Sequence, residues 1–360
     1  FYESEDPVWN PALLTIPMPG IRKMVNLAST MDDVIHLSIG QPDLPAPTHV
    51  VDATIAALQA GQTGYTMDAG LPELLEALSD YYGARYAREL TPSFMLYAPL
   101  VRMNGGTVKT IPTRAESNHQ LDPQDVIDAI DANTCAIVLN SPSNPTGTLY
   151  PRETIEAIVQ EAAYRGVYVI SDEVYDHLVY DCKTYPSVLS CCSDLDHVMV
   201  ISSFSKTFSM AGMRVGWLIA SQGAIKKLRR YHMFTTTVAN TPCQWAGVAA
   251  LRGERDFVDN MLDVYTRRRD RVVELVRQTP YLDGYKPEGA FYLFPALPDG
   301  INGNNVALRL LKETGVCTIP GETFGPSCSN ALRISYSTSI EQIEEAFRRL
   351  IPWMEKQDFA

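Results

Sequence analysis

The sequence predicts an α/β fold: a three-layer sandwich around a mostly parallel central sheet, with a smaller α+β domain appended at the C-terminal end. Three observations carry that expectation. From residue 135 onward, runs that are apolar at nearly every position (CAIVLNSP, VYVISDE, HVMVISSFS, VGWLIA) alternate with helical stretches. Strands without a polar face are buried on both sides, as in parallel sheets covered by two helix layers. A chain of 360 residues with 46% apolar composition exceeds one small domain and has room for two. After about residue 295, proline and glycine punctuate shorter strands, and this change of texture marks the second unit.

Residues 1–33 are mixed in polarity and read as an arm that packs with the small domain. VIHLSIG (34–40) is a short strand opening a large domain over 34–294, and GQPDLPAP then enforces a loop. THVVDATIAALQAG (48–61) is a helix with Thr48 as its cap and Gly61 as its stop. LPELLEALSDYYGARY (71–86) is a second helix, with Pro72 in its first turn. GGTVKTIP (105–112) supplies a strand and LDPQDVIDAID a helix, followed by strand 135–142, helix 151–165 and strands 167–173, 197–205 and 215–220. A long helical region covers 223–279, and its run RRRDRVVELVRQT reads as a solvated basic face. After EGAFYLFPAL (288–297), the small domain over 295–360 holds helix 305–316, strand 331–337 and an amphipathic closing helix, 340–356.

The net charge of −12 opposes a nucleic-acid or anionic-membrane surface, while leaving room for a local basic pocket. Seven cysteines, at 135, 182, 191, 192, 243, 317 and 328, show no metal-ligand spacing and read as reduced thiols in the cytoplasm. The six histidines form no close pair, so no metal is expected. The start, FYESEDPVWN, has neither the basic region nor the apolar core of a signal peptide, and no run is long enough to span a bilayer.

Four polar clusters sit at or just after strand ends, where open parallel sheets place ligands. They are Gly40-Gln41-Pro42-Asp43, NSPSNPTG (140–147), SDEVYDHL (171–178) and SSFSKTFSMAGMRVGW (202–217). Each has an ordinary structural reading: Asn144 and Asp172 as caps, Lys206 as an amine that snorkels to water. Together they match the needs of an electron-withdrawing pyridine ring. A carboxylate facing the ring nitrogen keeps it protonated, an amide and a phenol bind the ring hydroxyl, and a lysine holds the aldehyde as a Schiff base.

On these motifs the chain resembles the pyridoxal-phosphate-dependent class I/II aminotransferases (fold type I, aspartate aminotransferase superfamily) from about residue 34 to its C-terminus. The family pattern SxSKxxxxxGxRxG is met by Ser203, Ser205, Lys206, Gly212, Arg214 and Gly216. The resemblance implies pyridoxal 5'-phosphate as cofactor and Lys206 as the Schiff-base lysine and proton shuttle. It implies Ser203 and Arg214 at the phosphate, Asn144 of NPTG at the ring hydroxyl, and Asp172 and Tyr175 of DEVY at the ring nitrogen and hydroxyl. Arg333 of LRISYS is then the clamp for the substrate α-carboxylate, with the Gly40 backbone beside it. Tyr65 of GYTMDAG is the residue that reaches a phosphate across the boundary of a homodimer. Phe94 of TPSFMLY is the aromatic stacked on the ring. The implied reaction is ping-pong transfer of an amino group from an L-amino acid to a 2-oxo acid. A lyase or decarboxylase on the same cofactor, and a degenerate non-catalytic scaffold, are the alternatives.

One interval departs from the family. Helix 71–86 runs almost directly into Thr91-Pro92, where the family has a strand, a glycine-containing turn, a helix and another strand. About one βαβ unit, roughly 30 residues, is wanting there. Either a genuine deletion removes a central strand and most of the phosphate cup, or the sequence omits residues at the Leu90–Thr91 join.

Overall fold

The computed structural model describes residues 20–86, 90–91, 101–102, 104–181 and 184–358. A five-stranded sheet forms the frame, in the order β2 (Leu90–Thr91), β6 (Gly216–Ile219), β5 (Val198–Ser203), β4 (Tyr168–Asp172), β3 (Ala136–Asn140). Strands β3, β4 and β5 run parallel, whereas β6 is antiparallel to both of its neighbours. Helices α2 (Thr48–Gln59), α3 (Pro72–Tyr86), α4 (Pro123–Asp128), α5 (Arg152–Tyr164), α7 (Gln222–Thr235) and α8 (Thr241–Arg252) surround it. Val50, Leu74, Ile158, Val169, Val200, Phe204, Ile219 and Ala246 share one apolar core between these helices and the sheet. The α/β layered architecture expected from the sequence is present.

The remaining elements build a second core. Helix α1 (Gly20–Ala28), strand β1 (Ile35–His36) and helix α9 (Asp256–Arg277) join β7 (Tyr292–Leu293), α10 (Gly303–Thr314), β8 (Val316–Cys317), β9 (Ile319–Pro320), β10 (Leu332–Ser335) and α11 (Ile340–Glu355). Strand β1 pairs in parallel with β8, and β10 lies between β7 and β9 in an antiparallel sheet. The strand expected at 34–40 is therefore shorter, and it pairs with C-terminal elements instead of opening the large sheet.

Three further expectations need correction. Thr48 does not cap α2: Pro47 holds that position, and Thr48 is already helical. GGTVKTIP forms no strand, because β3 is the last strand of the sheet among the described residues and offers no described ladder partner. Val138 on β3 is 38% exposed. The basic run of α9 is not a solvated face, since helical spacing turns Tyr265, Arg268, Arg269 and Val272 into the core together. There Arg269 grips Asp181 with Nη1 and Nη2, each at 2.9 Å, and its guanidinium lies 4.5 Å from the Tyr180 ring centre. Burying a guanidinium without such partners would cost several kcal/mol, on the order of the desolvation penalty per ion.

Candidate active site

The parallel strands β3, β4 and β5 end at Asn140, Asp172 and Ser203, with Asn140 opposite Asp172 and Asp172 opposite Ile201. The segments that follow therefore leave the sheet along one edge. After β3, the Asn140 Oδ1 accepts from the Asn144 amide at 2.7 Å and curls the NSPSNPTG turn. Gly147 closes that turn at φ +72°, and a Cβ there would stand 2.8 Å from the Tyr292 carbonyl oxygen, so a side chain would lift the turn off β7. After β4, the Asp172 Oδ1 accepts from the Val174 amide at 3.1 Å. After β5, the Ser203 Oγ accepts from the Ser205 amide at 3.2 Å and starts the single helical turn α6 (Phe204–Thr207), which carries Lys206.

The Lys206 amine points into the protein. It donates to the Gly40 carbonyl at 2.5 Å and lies 5.9 Å and 6.0 Å from the ring centres of Phe291 and Tyr175. Burial lowers its pKa to about 8; the positive charges of Arg333 and Arg214 push the same way, and Asp172 opposes them. Gly40 must be glycine, since a Cβ there would sit 2.6 Å from the Tyr292 hydroxyl. The loop carrying it is anchored by Asp43, which accepts from Arg268 Nη1 at 2.6 Å and Nη2 at 2.8 Å. Asp43, singled out with its cluster, is thus a loop anchor that also explains one of the buried arginines.

Arg333 on β10 is 1% exposed and lies between two aromatic rings, 4.5 Å from the centre of Tyr292 and 5.2 Å from that of Phe324. Its Nη1 donates to the Asn144 Oδ1 at 3.0 Å and its Nη2 to the Ser38 carbonyl at 2.6 Å. Its Nε is buried and has no protein partner, a donor left over for a ligand. Tyr175 is 2% exposed and its hydroxyl is 2.8 Å from that of Tyr292. Burial holds the Tyr175 phenol well above the ordinary range, and the neighbouring Tyr292 adds to this.

The structure thus brings Gly40, Asn144, Tyr175, Lys206 and Arg333 together, with the charge of Asp172 acting on both Lys206 and Tyr175. Ser203 is buried with its Oγ engaged as a cap, while Arg214 is exposed at φ 57° and donates to the Ala211 carbonyl at 2.8 Å. Tyr65 is 87% exposed and turned away from its own chain. Phe94 lies outside the described residues. Sequence reasoning missed Tyr292, which opens β7 beside Phe291; their ring centres are 4.8 Å apart and both rings pack edge-on against Tyr175, so the run of aromatics in EGAFYLF was the available signal. A buried amine whose hold on its proton is weakened, a carboxylate, an amide, a phenol and an orphan guanidinium nitrogen fit pyridoxal phosphate and an amino acid.

The Aminotransferase class I and II family model matches residues 89–350. An aspartate aminotransferase of Pyrococcus abyssi is 34% identical over 366 residues, covering 92% of this chain and 94% of that protein. An aromatic-amino-acid aminotransferase of Thermococcus litoralis is 31% identical over 92% of this chain and 94% of its own length. The crystal structure of an aspartate aminotransferase from Thermotoga maritima superposes with a TM-score of 0.90 at 30% identity, covering 97% of this chain and all of that one.

Proposed function

The chain belongs to the class I and II aminotransferases, and from that premise we propose which of its groups carry each part of the reaction. The protein transfers an amino group from an L-amino acid to a 2-oxo acid by a ping-pong, pyridoxal-phosphate-dependent mechanism. Bound pyridoxal phosphate supplies the aldehyde and the electron-withdrawing ring. Lys206 would hold the aldehyde of that group and, with its amine free, would move the proton at the substrate α-carbon. Asp172 holds a proton on the ring nitrogen, and Asn144 and Tyr175 hold the ring hydroxyl. Ser203, Arg214 and the partner subunit's Tyr65 hold the phosphate, and Phe94 is assigned to the ring face.

Arg333 binds the substrate α-carboxylate beside the Gly40 backbone. Its Nε already lacks a partner, so a carboxylate completes it. The observation that carries this reading is the Lys206 amine, buried against Gly40 with its proton affinity lowered to about 8 by burial beside Arg333. An ordinary structural lysine is neither so placed nor so perturbed.

We further propose a cytoplasmic homodimer, acting on small molecules only, with no nucleic acid or membrane as partner. The loop around Tyr65 is pinned from both sides. Thr241 donates to the Gly64 carbonyl at 2.7 Å, Gln244 to the Thr66 hydroxyl at 3.1 Å, and Arg229 to Asp68 at 2.5 Å. A pinned loop that presents a phenol outward suits a partner that uses it. Met67, Tyr231, Met233 and Phe234 are also exposed, at 47% or more.

The test is Lys206→Ala. It abolishes turnover with aspartate, aromatic amino acids and alanine as donors and 2-oxoglutarate as acceptor, and it abolishes the visible absorbance of the cofactor-loaded protein. Retention of both by the variant would defeat the assignment.

A further inference from the structure

The buried Tyr175–Tyr292 pair has a direction. Both hydroxyls are within the core, 2.8 Å apart, and each brings a single proton. The Arg333 guanidinium lies over the face of Tyr292 at 4.5 Å from its centre. A cation over that face draws electron density from the ring, which makes the Tyr292 hydroxyl a better donor and a poorer acceptor. The Gly40 backbone approaches the same hydroxyl closely, since a Cβ there would stand 2.6 Å from it, and Tyr175 is the hydrogen-bond partner of that hydroxyl.

We propose that Tyr292 is a positioning residue for the transamination: it donates to the Tyr175 oxygen and so commits the single Tyr175 proton to the ring-hydroxyl oxygen of the cofactor. The inference rests on the roles given above to Lys206 and Tyr175. Donors in series polarise one another, so the chain Tyr292–Tyr175 stabilises the anionic ring oxygen more than Tyr175 alone. The visible band of the cofactor-loaded protein, whose colour reports whether the Lys206 nitrogen is protonated, therefore titrates at a lower pH when Tyr292 is present. Tyr292 also links the substrate clamp to the cofactor, because the ring that serves Tyr175 is the one that carries Arg333.

The experiment is a pH titration of that band in the wild type, Tyr292→Phe, Tyr175→Phe and the double variant, with circular dichroism to check folding. Tyr292→Phe raises the midpoint by about half a pH unit, roughly threefold in proton affinity. Tyr175→Phe raises it further, and adding Tyr292→Phe to that background changes nothing more. An unmoved midpoint in Tyr292→Phe, or an equal rise in both backgrounds, overturns the proposal. Should Tyr292→Phe fail to fold, 3-fluorotyrosine placed at position 292 keeps the ring and the hydroxyl and makes that hydroxyl a stronger donor to Tyr175. Its midpoint falls, and an unmoved midpoint overturns the proposal equally. A wild-type protein that forms no visible band with pyridoxal phosphate would instead bring down the cofactor reading, and this inference with it.

Discussion

A lysine in water stays protonated until far above neutral pH, and an ammonium cannot attack an aldehyde. What changes Lys206 is its place, one helical turn beyond β5, beneath Gly40 and within reach of Arg333. Burial costs the charged form its hydration, and the guanidinium groups of Arg333 and Arg214 repel it. The amine is thus neutral above about pH 8 and increasingly protonated below. The rate at which the cofactor-free protein acquires its visible band on addition of pyridoxal phosphate therefore levels off above about pH 8 and falls about tenfold for each unit below it. A rate that kept climbing through pH 10 would mark an unperturbed lysine and remove the physical basis for its role. Motif spacing in the sequence identified the residue, whereas its neighbours Gly40, Phe291 and Arg333 come from distant segments that only the fold assembles.

At the scale of elements, strand ends decide which residues face the site. Asp172 and Glu173 are adjacent at the end of β4 and follow opposite directions, one acting on Lys206 and Tyr175, the other enclosed behind the sheet. Glu173 accepts from Ser171 Oγ at 3.0 Å, Ser187 Oγ at 2.7 Å and the Val188 amide at 2.9 Å. Burial nonetheless outweighs these bonds and pushes it up to about 7. A carboxyl whose folded pKa is raised contributes stability that is complete below its unfolded pKa and lost as pH rises through about 7. The loss is on the order of 3 kcal/mol. Glu173→Gln keeps an acceptor for Ser171 and Val188, so the fall in Tm between pH 5 and pH 8 flattens in the variant. A variant with the wild-type slope would show that Glu173 does not titrate there. The parallel strands and the motifs at their ends were legible because apolar runs and turn residues are local signals. Burial of Arg268 and Arg269 was not, because their partners, Asp43 and Asp181, lie far away in sequence and a basic helix looks the same with or without them. Nor was the loss of a strand at 105–112, since a strand exists only where a neighbour offers a ladder.

At the scale of the whole molecule, the proposed homodimer turns on Tyr65. Its loop is held rigidly by α7 and α8, yet the phenol is 87% exposed. If the partner's Tyr65 completes each site, two defective chains can repair one another. A Lys206→Ala chain has no amine but still presents Tyr65. A Tyr65→Ala chain lacks the phenol but keeps its amine, and in a hybrid dimer its site receives Tyr65 from the partner. The other site of the hybrid lacks both groups. Random reassortment of equal amounts makes about half of the dimers hybrid, so about a quarter of all sites regain the wild-type set. Activity of the mixture, measured at limiting pyridoxal phosphate, then rises above the mean of the two separate variants after subunits have been allowed to exchange. The same mixture without exchange shows only that mean, which separates repair between subunits from any effect of either protein alone. A mixture that stays at the mean after exchange, with hybrids present by mass, would place Tyr65 outside the site and leave the phosphate to Ser203 and Arg214 of a single chain.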